Sequence, residues 1–294
     1  MRRIVRNPVP IDLRLTLGPL AHGKRAHRVD GDTIWRATRT PQGPATLRVS
    51  GGGLEIEGEA WGPGAEWTLD HLHELVGVQD IADDFAPFGV VAQLHRRAPG
   101  LRFGRTRSIF EPLLNAVIGQ RVAVKAANRS YVGLLRRHGE PAPGPGGMML
   151  QPTPDVLASL KYEQYHIFGI ERKRADTIRR AAHRSMRMEE AAAMSSPDAM
   201  VRLTALPGIG EWTAGQVVQV ALGDPDAVVT GDYKLPHVVA WNLAGEPRGD
   251  DERMLELLEP YRGHRARVVR LLKAVGETPP RYGPKLELMP IEQW

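Results

Sequence analysis

The 294-residue sequence contains no cysteine. That absence excludes disulfides, Cys-ligated zinc, iron–sulfur clusters and a thiol nucleophile. Long apolar runs are lacking too. No stretch approaches the roughly 18 residues of a membrane-spanning helix, and the start MRRIVRNPVP has no apolar leader core. Aromatics make up 6% of the chain, beside 42% apolar and 25% charged residues, which excludes collagen, a coiled-coil rod and a disordered chain. The expectation is a soluble, intracellular protein without a membrane partner. At roughly 100–200 residues per domain, the length predicts two domains.

The net charge is +5, and its distribution says more than its sum. Residues 1–80 carry ten Lys/Arg and ten Asp/Glu, so they are neutral. Residues 96–138 carry ten basic side chains against Glu111 alone, giving +9. Residues 171–187 add +5 and residues 253–273 add +4, whereas 201–252 sum to −5. Three basic clusters around an acidic segment fit a surface for a polyanion with different chemistry at its centre. Solvated helix faces are the alternative.

Hydropathy changes period near residue 80. Before it, Ile11, Leu13, Leu15 and Leu17 alternate with polar neighbours, and TIWRATRT, ATLRVS and LEIEGEAW follow between VDGD, TPQGP, SGGG and WGPG. These predict short antiparallel strands joined by turns. Beyond it the period is that of helices, expected over roughly 83–98, 109–138, 154–160, 162–168, 172–186, 189–193, 197–204, 211–222, 233–243, 251–258 and 263–275. The Pro/Gly-rich EPAPGPGGMMLQPTP at 140–154 predicts an extended loop.

The most informative stretch is 203–240, LTALPGIGEWTAGQVVQVALGDPDAVVTGDYKLPHVVA. Pro207 fixes a turn, Gly208 and Gly210 let a partner approach the backbone, and EWTAGQVVQVAL opens a helix whose free N–H groups suit a phosphate. An ordinary helix–turn–helix corner is the alternative. The full LPGIGEWTA string, with Asp232 lying 22 residues after Gly210, resembles the helix-hairpin-helix of DNA repair glycosylases. PGLRFGRTRSIFEPLLNAVIGQRV (99–122) and LQPTPDVLASL…FGIERKRADTIRRAA (150–182) look like segments of the 3-methyladenine DNA glycosylase II family. The resemblance covers about 190 residues by motif, and the first 80 by type and position.

It implies an α+β protein. A small antiparallel β domain (1–80) precedes an all-α glycosylase domain (81–294), whose subdomains span about 109–230 and 81–108 plus 231–294. N-glycosidic hydrolysis passes through an oxocarbenium-like sugar, which needs a nearby carboxylate and a water. The resemblance puts Asp232 in that role; a plain helix cap is the alternative. Trp212 stands where bifunctional relatives carry a Schiff-base Lys, so a monofunctional enzyme is implied. Lys234 sits on the wrong side of Asp232 for that role.

Trp212 and Tyr233 would line the base pocket and stack on an electron-poor purine, unless both are packing aromatics. Two pocket aromatics of the family align with Gln216 and Arg270, which disfavours a cationic base and leaves room for a neutral lesion. Gly208, Gly210 and Thr213 match phosphate-holding positions. The carbonyls of Thr204, Leu206 and Ile209 match those holding a monovalent cation, Na+ or K+. Arg121, following Gln120, would fill the hole left by a flipped base. Arg262, His264, Arg265 and Arg267 would lie near phosphates. No side-chain metal cluster with convincing spacing and no required cofactor is expected. The expectation is therefore a monomeric, cytoplasmic, nucleoid-associated glycosylase acting on an alkylated purine in double-stranded DNA. A silent DNA-lesion-binding protein and a glycosylase for oxidised or deaminated bases are the alternatives.

Overall fold

A computed structural model describes residues 1–20, 23 and 25–280. Its N-terminal sheet has strands β1 (Arg2–Ile11), β2 (His27–Asp30), β3 (Thr33–Thr40) and β4 (Gly43–Trp61), antiparallel in the order β1-β4-β3-β2. The long β4 changes partner midway, pairing with β3 through Val49 and with β1 from Gly53. The change falls at Gly51, Gly52 and Gly53, all at positive φ, a conformation that glycine adopts without a Cβ penalty. One sheet face buries Ile34, Leu47, Val49 and Ile56 together with Leu69, Leu72 and Val76.

Leu69 and Leu72 belong to helices and Val76 follows the second of them, which corrects the all-strand expectation for the first 80 residues. Leu13–Leu17 form α1, Ala65–Asp70 α2 and Leu72–Leu75 α3. The alternating leucines at 13, 15 and 17 mimic a strand. Asp12 decides otherwise, because its side chain accepts from the Arg14 and Leu15 amides and starts a helical turn burying Leu13, Thr16 and Leu17.

The remaining helices are α4 (Gly89–Arg97), α5 (Phe110–Gly119), α6 (Val124–His138), α7 (Pro154–Ser159), α8 (Tyr162–His166), α9 (Arg172–His183), α10 (Ser185–Glu189), α11 (Ser196–Thr204), α12 (Glu211–Ala221), α13 (Leu235–Ala244), α14 (Asp251–Leu258) and α15 (Arg265–Val275). The expected helix at 83–98 begins only at Gly89, since Pro87 disfavours helix in the residue before it. Thr153 and Ser195 cap α7 and α11 with prolines in the first turns.

Two differences bear on function. The 109–138 segment is two helices rather than one, broken between Gly119 and Val124 where Arg121 has φ +55°. The 140–154 stretch is not simply extended. Glu140–Pro141 (β5) pairs with Met149–Leu150 (β6), and Gly144 and Gly146 lie against Trp61 and Trp35, themselves stacked with centroids 5.8 Å apart. Close approach to the indoles is what the small residues permit there.

The helices bury two further cores. One joins α5 through α12, with Leu113, Leu134, Leu157, Ile178, Leu203 and Val217 at its centre. The other joins α4, the 101–103 segment and α13–α15. The sheet clamps the first core. Arg36 on β3 donates to Glu111 Oε2 at 2.9 Å and Thr38 donates to the same oxygen at 2.8 Å, at the start of α5.

Candidate active site

α11, the turn Ala205–Gly210 and α12 form the hairpin. Gly208 has φ +96°, and an added Cβ would run into the Thr177 hydroxyl of α9. Glycine is thus required there by both backbone angle and space. Gly210 precedes α12 with φ −96° and open space where a Cβ would point. No side chain caps α12, so its first-turn amides keep their hydrogen-bonding capacity and carry the positive end of the helix dipole. Arg180 of α9 steadies the turn by donating to the Pro207 carbonyl at 3.1 Å.

Gln120 joins this hairpin to the break after α5. Its side-chain amide donates to the Gly208 carbonyl at 2.9 Å and to the Thr213 hydroxyl at 2.8 Å. The buried Arg174 donates to the Ile118 carbonyl at 2.7 Å, fixing the end of α5. Arg121, next in sequence, is exposed and held in the left-handed region, uncommon for a residue with a side chain.

Asp232 lies opposite, on the loop entering α13. Its Oδ1 accepts from the Lys234 amide at 2.8 Å and the Leu235 amide at 2.9 Å; its Oδ2 accepts from the Trp212 indole N–H at 3.3 Å. The carboxylate therefore caps α13 and bridges to α12. Trp212 packs on the second helical core, and its ring reaches Gly119. Before Asp232, the Gly231 amide donates to Asp251 Oδ2 at 2.7 Å.

Other expected residues are placed differently. Tyr233 is 82% exposed, with its ring edge-on to His237, and lines no enclosed space. Gln216 is half-buried on α12. Arg270 lies with its guanidinium 3.8 Å from the Phe103 ring centroid and donates to the Arg102 carbonyl at 3.1 Å; burial pulls its pKa down to about 10.

Most of the residues expected near phosphates around α15 have partners within the fold. His264 is 7% exposed, and its ring bridges Asp84 Oδ1 at 3.0 Å and Arg267 Nε at 3.2 Å. Arg267 is itself buried in a two-bond pair with Asp80. Arg265 forks onto Asp226 at 2.8 and 2.6 Å, and that carboxylate also takes the Gly263 and Arg265 amides. These groups already have ionic or hydrogen-bonded partners, so they brace α15 against its neighbours. Arg262 is exposed and, among the described residues, pairs with Glu259 three residues earlier. Of the carbonyls expected to hold a cation, that of Leu206 accepts the Ile209 amide at 3.0 Å and keeps a second lone pair. Among the described residues, no cluster of three His, Asp or Glu side chains could hold a metal.

Sequence reasoning missed Asp251, Asp226 and Arg174. The adjacent Asp250–Asp251 pair at a helix start was a readable sign, because one Asp suffices as a cap. Two surface clefts, of about 200 and 570 Å³, are lined by residues such as Asp80, Phe103, Arg105, Ser195 and Pro225. Neither includes Asp232 or Trp212.

No family model matches the chain. It is 31% identical over 143 residues to a probable bifunctional transcriptional activator/DNA repair enzyme of Mycobacterium tuberculosis, covering 47% of this chain and 28% of that protein. It is 26% identical over 180 residues to DNA-3-methyladenine glycosylase 2 of Escherichia coli, covering 60% and 62%. The matches thus span between about a quarter and two thirds of these curated relatives. Among solved structures, a 3-methyladenine DNA-glycosylase from Archaeoglobus fulgidus superposes with a TM-score of 0.76 at 20% identity, over 92% of this chain and 97% of that one. No helix among the described residues is long and apolar enough to cross a membrane. In its sheet, its helices and the hairpin that joins α11 to α12, the chain has the fold of the helix-hairpin-helix DNA glycosylases, and its sequence is similar to those of the 3-methyladenine branch.

Proposed function

We propose that the protein is a monofunctional DNA glycosylase that excises a damaged, alkylated purine-like base from double-stranded DNA. The observation carrying this reading is the Trp212–Asp232 pair. The position a lyase would give to an amine holds an indole, and that indole N–H meets the carboxylate at 3.3 Å. An indole forms no imine, so the chemistry left is attack by water.

The nucleotide rotates out of the stack and Arg121 enters the space it leaves. The C1′–N bond breaks with its electron pair leaving on the base, and Asp232 faces the developing oxocarbenium charge. Water then adds at C1′ and loses a proton. The uncapped start of α12, with Gly208, Gly210 and Thr213, grips a phosphate. The Thr204, Leu206 and Ile209 carbonyls suit a Na+ or K+ ion bridging to it. Exposed Arg262 exchanges Glu259 for a phosphate, whereas His264 and Arg265 act only as braces. The chain works as a monomer on nucleoid DNA in the cytoplasm.

Incubation with duplexes each carrying one lesion, followed by hot-alkali cleavage, tests this reading. Strand scission at one or more lesions is expected. Tight lesion binding without scission on any duplex would replace the enzyme with a silent lesion-binding protein, a reading favoured by the Arg270–Phe103 stack and the outward Tyr233.

A further inference from the structure

Gly231 immediately precedes Asp232 and has φ +77°, so the chain turns sharply just before the carboxylate. Glycine is the residue least able to hold such an angle by itself, since nothing but its backbone restricts it. Its amide is held by Asp251 Oδ2 at 2.7 Å. Helix α14 does not need Asp251 as a cap, because Asp250 already accepts the Arg253 amide at 2.9 Å. The second oxygen of Asp251 is buried without a hydrogen-bond partner. A carboxylate half desolvated in this way is a poor stabilising device, and its placement is explained by what its other oxygen holds.

The tethers on Asp232 itself lie downstream, at Lys234 and Leu235, or on α12, at Trp212. On the upstream side the Thr230 hydroxyl reaches Glu211 Oε2 at 3.3 Å, and the backbone adjoining Asp232 is held at the Gly231 amide by Asp251. We infer that Asp251 is a positioning residue that sets the direction of the Asp232 carboxylate by holding the Gly231 amide. This inference rests on the glycosylase reading, since it needs Asp232 to act on a sugar. Misplacement of a reacting group by about 1 Å is enough to cost on the order of 10²-fold in rate.

Three substitutions separate position from charge. Asp251→Asn keeps an acceptor oxygen and loses the charge. Asp251→Ala loses both, and Asp251→Glu keeps the charge but moves the oxygen. In single-turnover excision, Asp251→Ala and Asp251→Glu are expected to fall about 10- to 100-fold, the usual range for an outer-shell support. Asp251→Asn stays within about threefold of wild type. DNA affinity and melting temperature are unchanged in the Glu variant although its rate falls, which a purely structural role would not allow. Amide hydrogen exchange at Gly231 rises in Ala and Glu and not in Asn.

Wild-type rates in Asp251→Glu, or Asn rates as low as those of Ala, would overturn the inference in favour of a charge acting on the sugar. Unchanged Gly231 exchange in Asp251→Ala would overturn it outright. Exchange needs no turnover, so a wild type that excises nothing fails the glycosylase reading while the Gly231 tether is still decided.

Discussion

The Gln120 side chain donates to the Gly208 carbonyl at 2.9 Å, so the turn that carries Arg121 is fastened to the turn of the hairpin. Under the proposed function, the residue that would enter the stack and the backbone that would hold a phosphate then move as one body. The left-handed Arg121 backbone sits at the break that this bond fastens, between the end of α5 and the start of α6, and leaves the side chain exposed.

Arg121→Gly is expected to raise stability while impairing excision. Left-handed backbone costs a residue with a side chain roughly 1–2 kcal/mol, offset by the roughly 0.5–1 kcal/mol of extra chain entropy that glycine loses on folding. Thermal melting should show a net gain of up to about 1.5 kcal/mol. Single-turnover rates on a lesion duplex should fall. A variant that melts lower and excises normally contradicts both halves.

Asp232→Asn preserves the Oδ1 acceptor for the Lys234 and Leu235 amides and removes the negative charge. Asn is as good a cap as Asp, so melting should fall only by what the lost Trp212 bond contributes, about 1 kcal/mol. Loss of charge at the transition state should cost on the order of 10²–10³ in excision rate, with DNA affinity retained or increased. Equal rates for wild type and variant would leave Asp232 only a helix cap.

Borohydride should trap no covalent adduct on abasic or lesion duplexes, because Trp212 holds the lyase position. A strong adduct abolished by Lys234→Ala would transfer the nucleophile to that exposed lysine.

Gly210→Ala and Gly208→Ala should behave differently although they are two residues apart. The Gly210 site has room for a methyl group, so the variant should fold normally and bind damaged and undamaged DNA equally less well. Gly208→Ala meets Thr177 and a positive φ, so its melting temperature should drop. Wild-type affinity should fall steeply with salt, by nearly one unit of logarithmic slope per phosphate neutralised. A slope near zero would turn the basic clusters away from DNA.

Glu189 supplies a pH test. Burial raises its pKa even though the Ile109 and Phe110 amides donate to it at 2.8 Å. A carboxyl with a folded pKa above its unfolded value binds protons more tightly in the native state, so its charged form costs stability above that pKa. The cost is relieved as pH falls through the folded value towards the unfolded one. The stability of wild type relative to Glu189→Gln should therefore rise on acidification from neutral pH, as denaturant midpoints across that window would report. A flat difference refutes the assignment.

Much of this was legible in the sequence, for identifiable reasons. The hairpin was readable because Pro207 fixes a turn and Gly208 answers a local backbone demand, a positive φ beside Thr177. The approach of Asp232 to Trp212 joins residues 20 apart, and only the motif foretold it. The break at Arg121 was not legible, since Gly119–Gln120–Arg121 lies within an unbroken apolar period and the bonds that hold it come from Gly208, Thr213 and Arg174. His264 and Arg265 looked like free surface cations because their partners, Asp84 and Asp226, are 180 and 39 residues away. Charge counted along the chain registers an arginine but not its counter-ion.

The first helical core is closed almost entirely by one continuous stretch, Ile109 to Ala221, whereas the second needs Val91–Phe103 together with Val229–Leu272. During synthesis the α5–α12 core can therefore close while α14 and α15 are still inside the ribosome. In a nascent chain that ends before α13, Asp232 lacks the Lys234 and Leu235 amides that hold its Oδ1 in the finished fold, so the hairpin is set before the carboxylate is. Pulse proteolysis of ribosome-stalled chains should find α5–α12 protected when residue 240 has emerged, and α4 protected only after residue 275. Simultaneous protection would give the two cores a single birth.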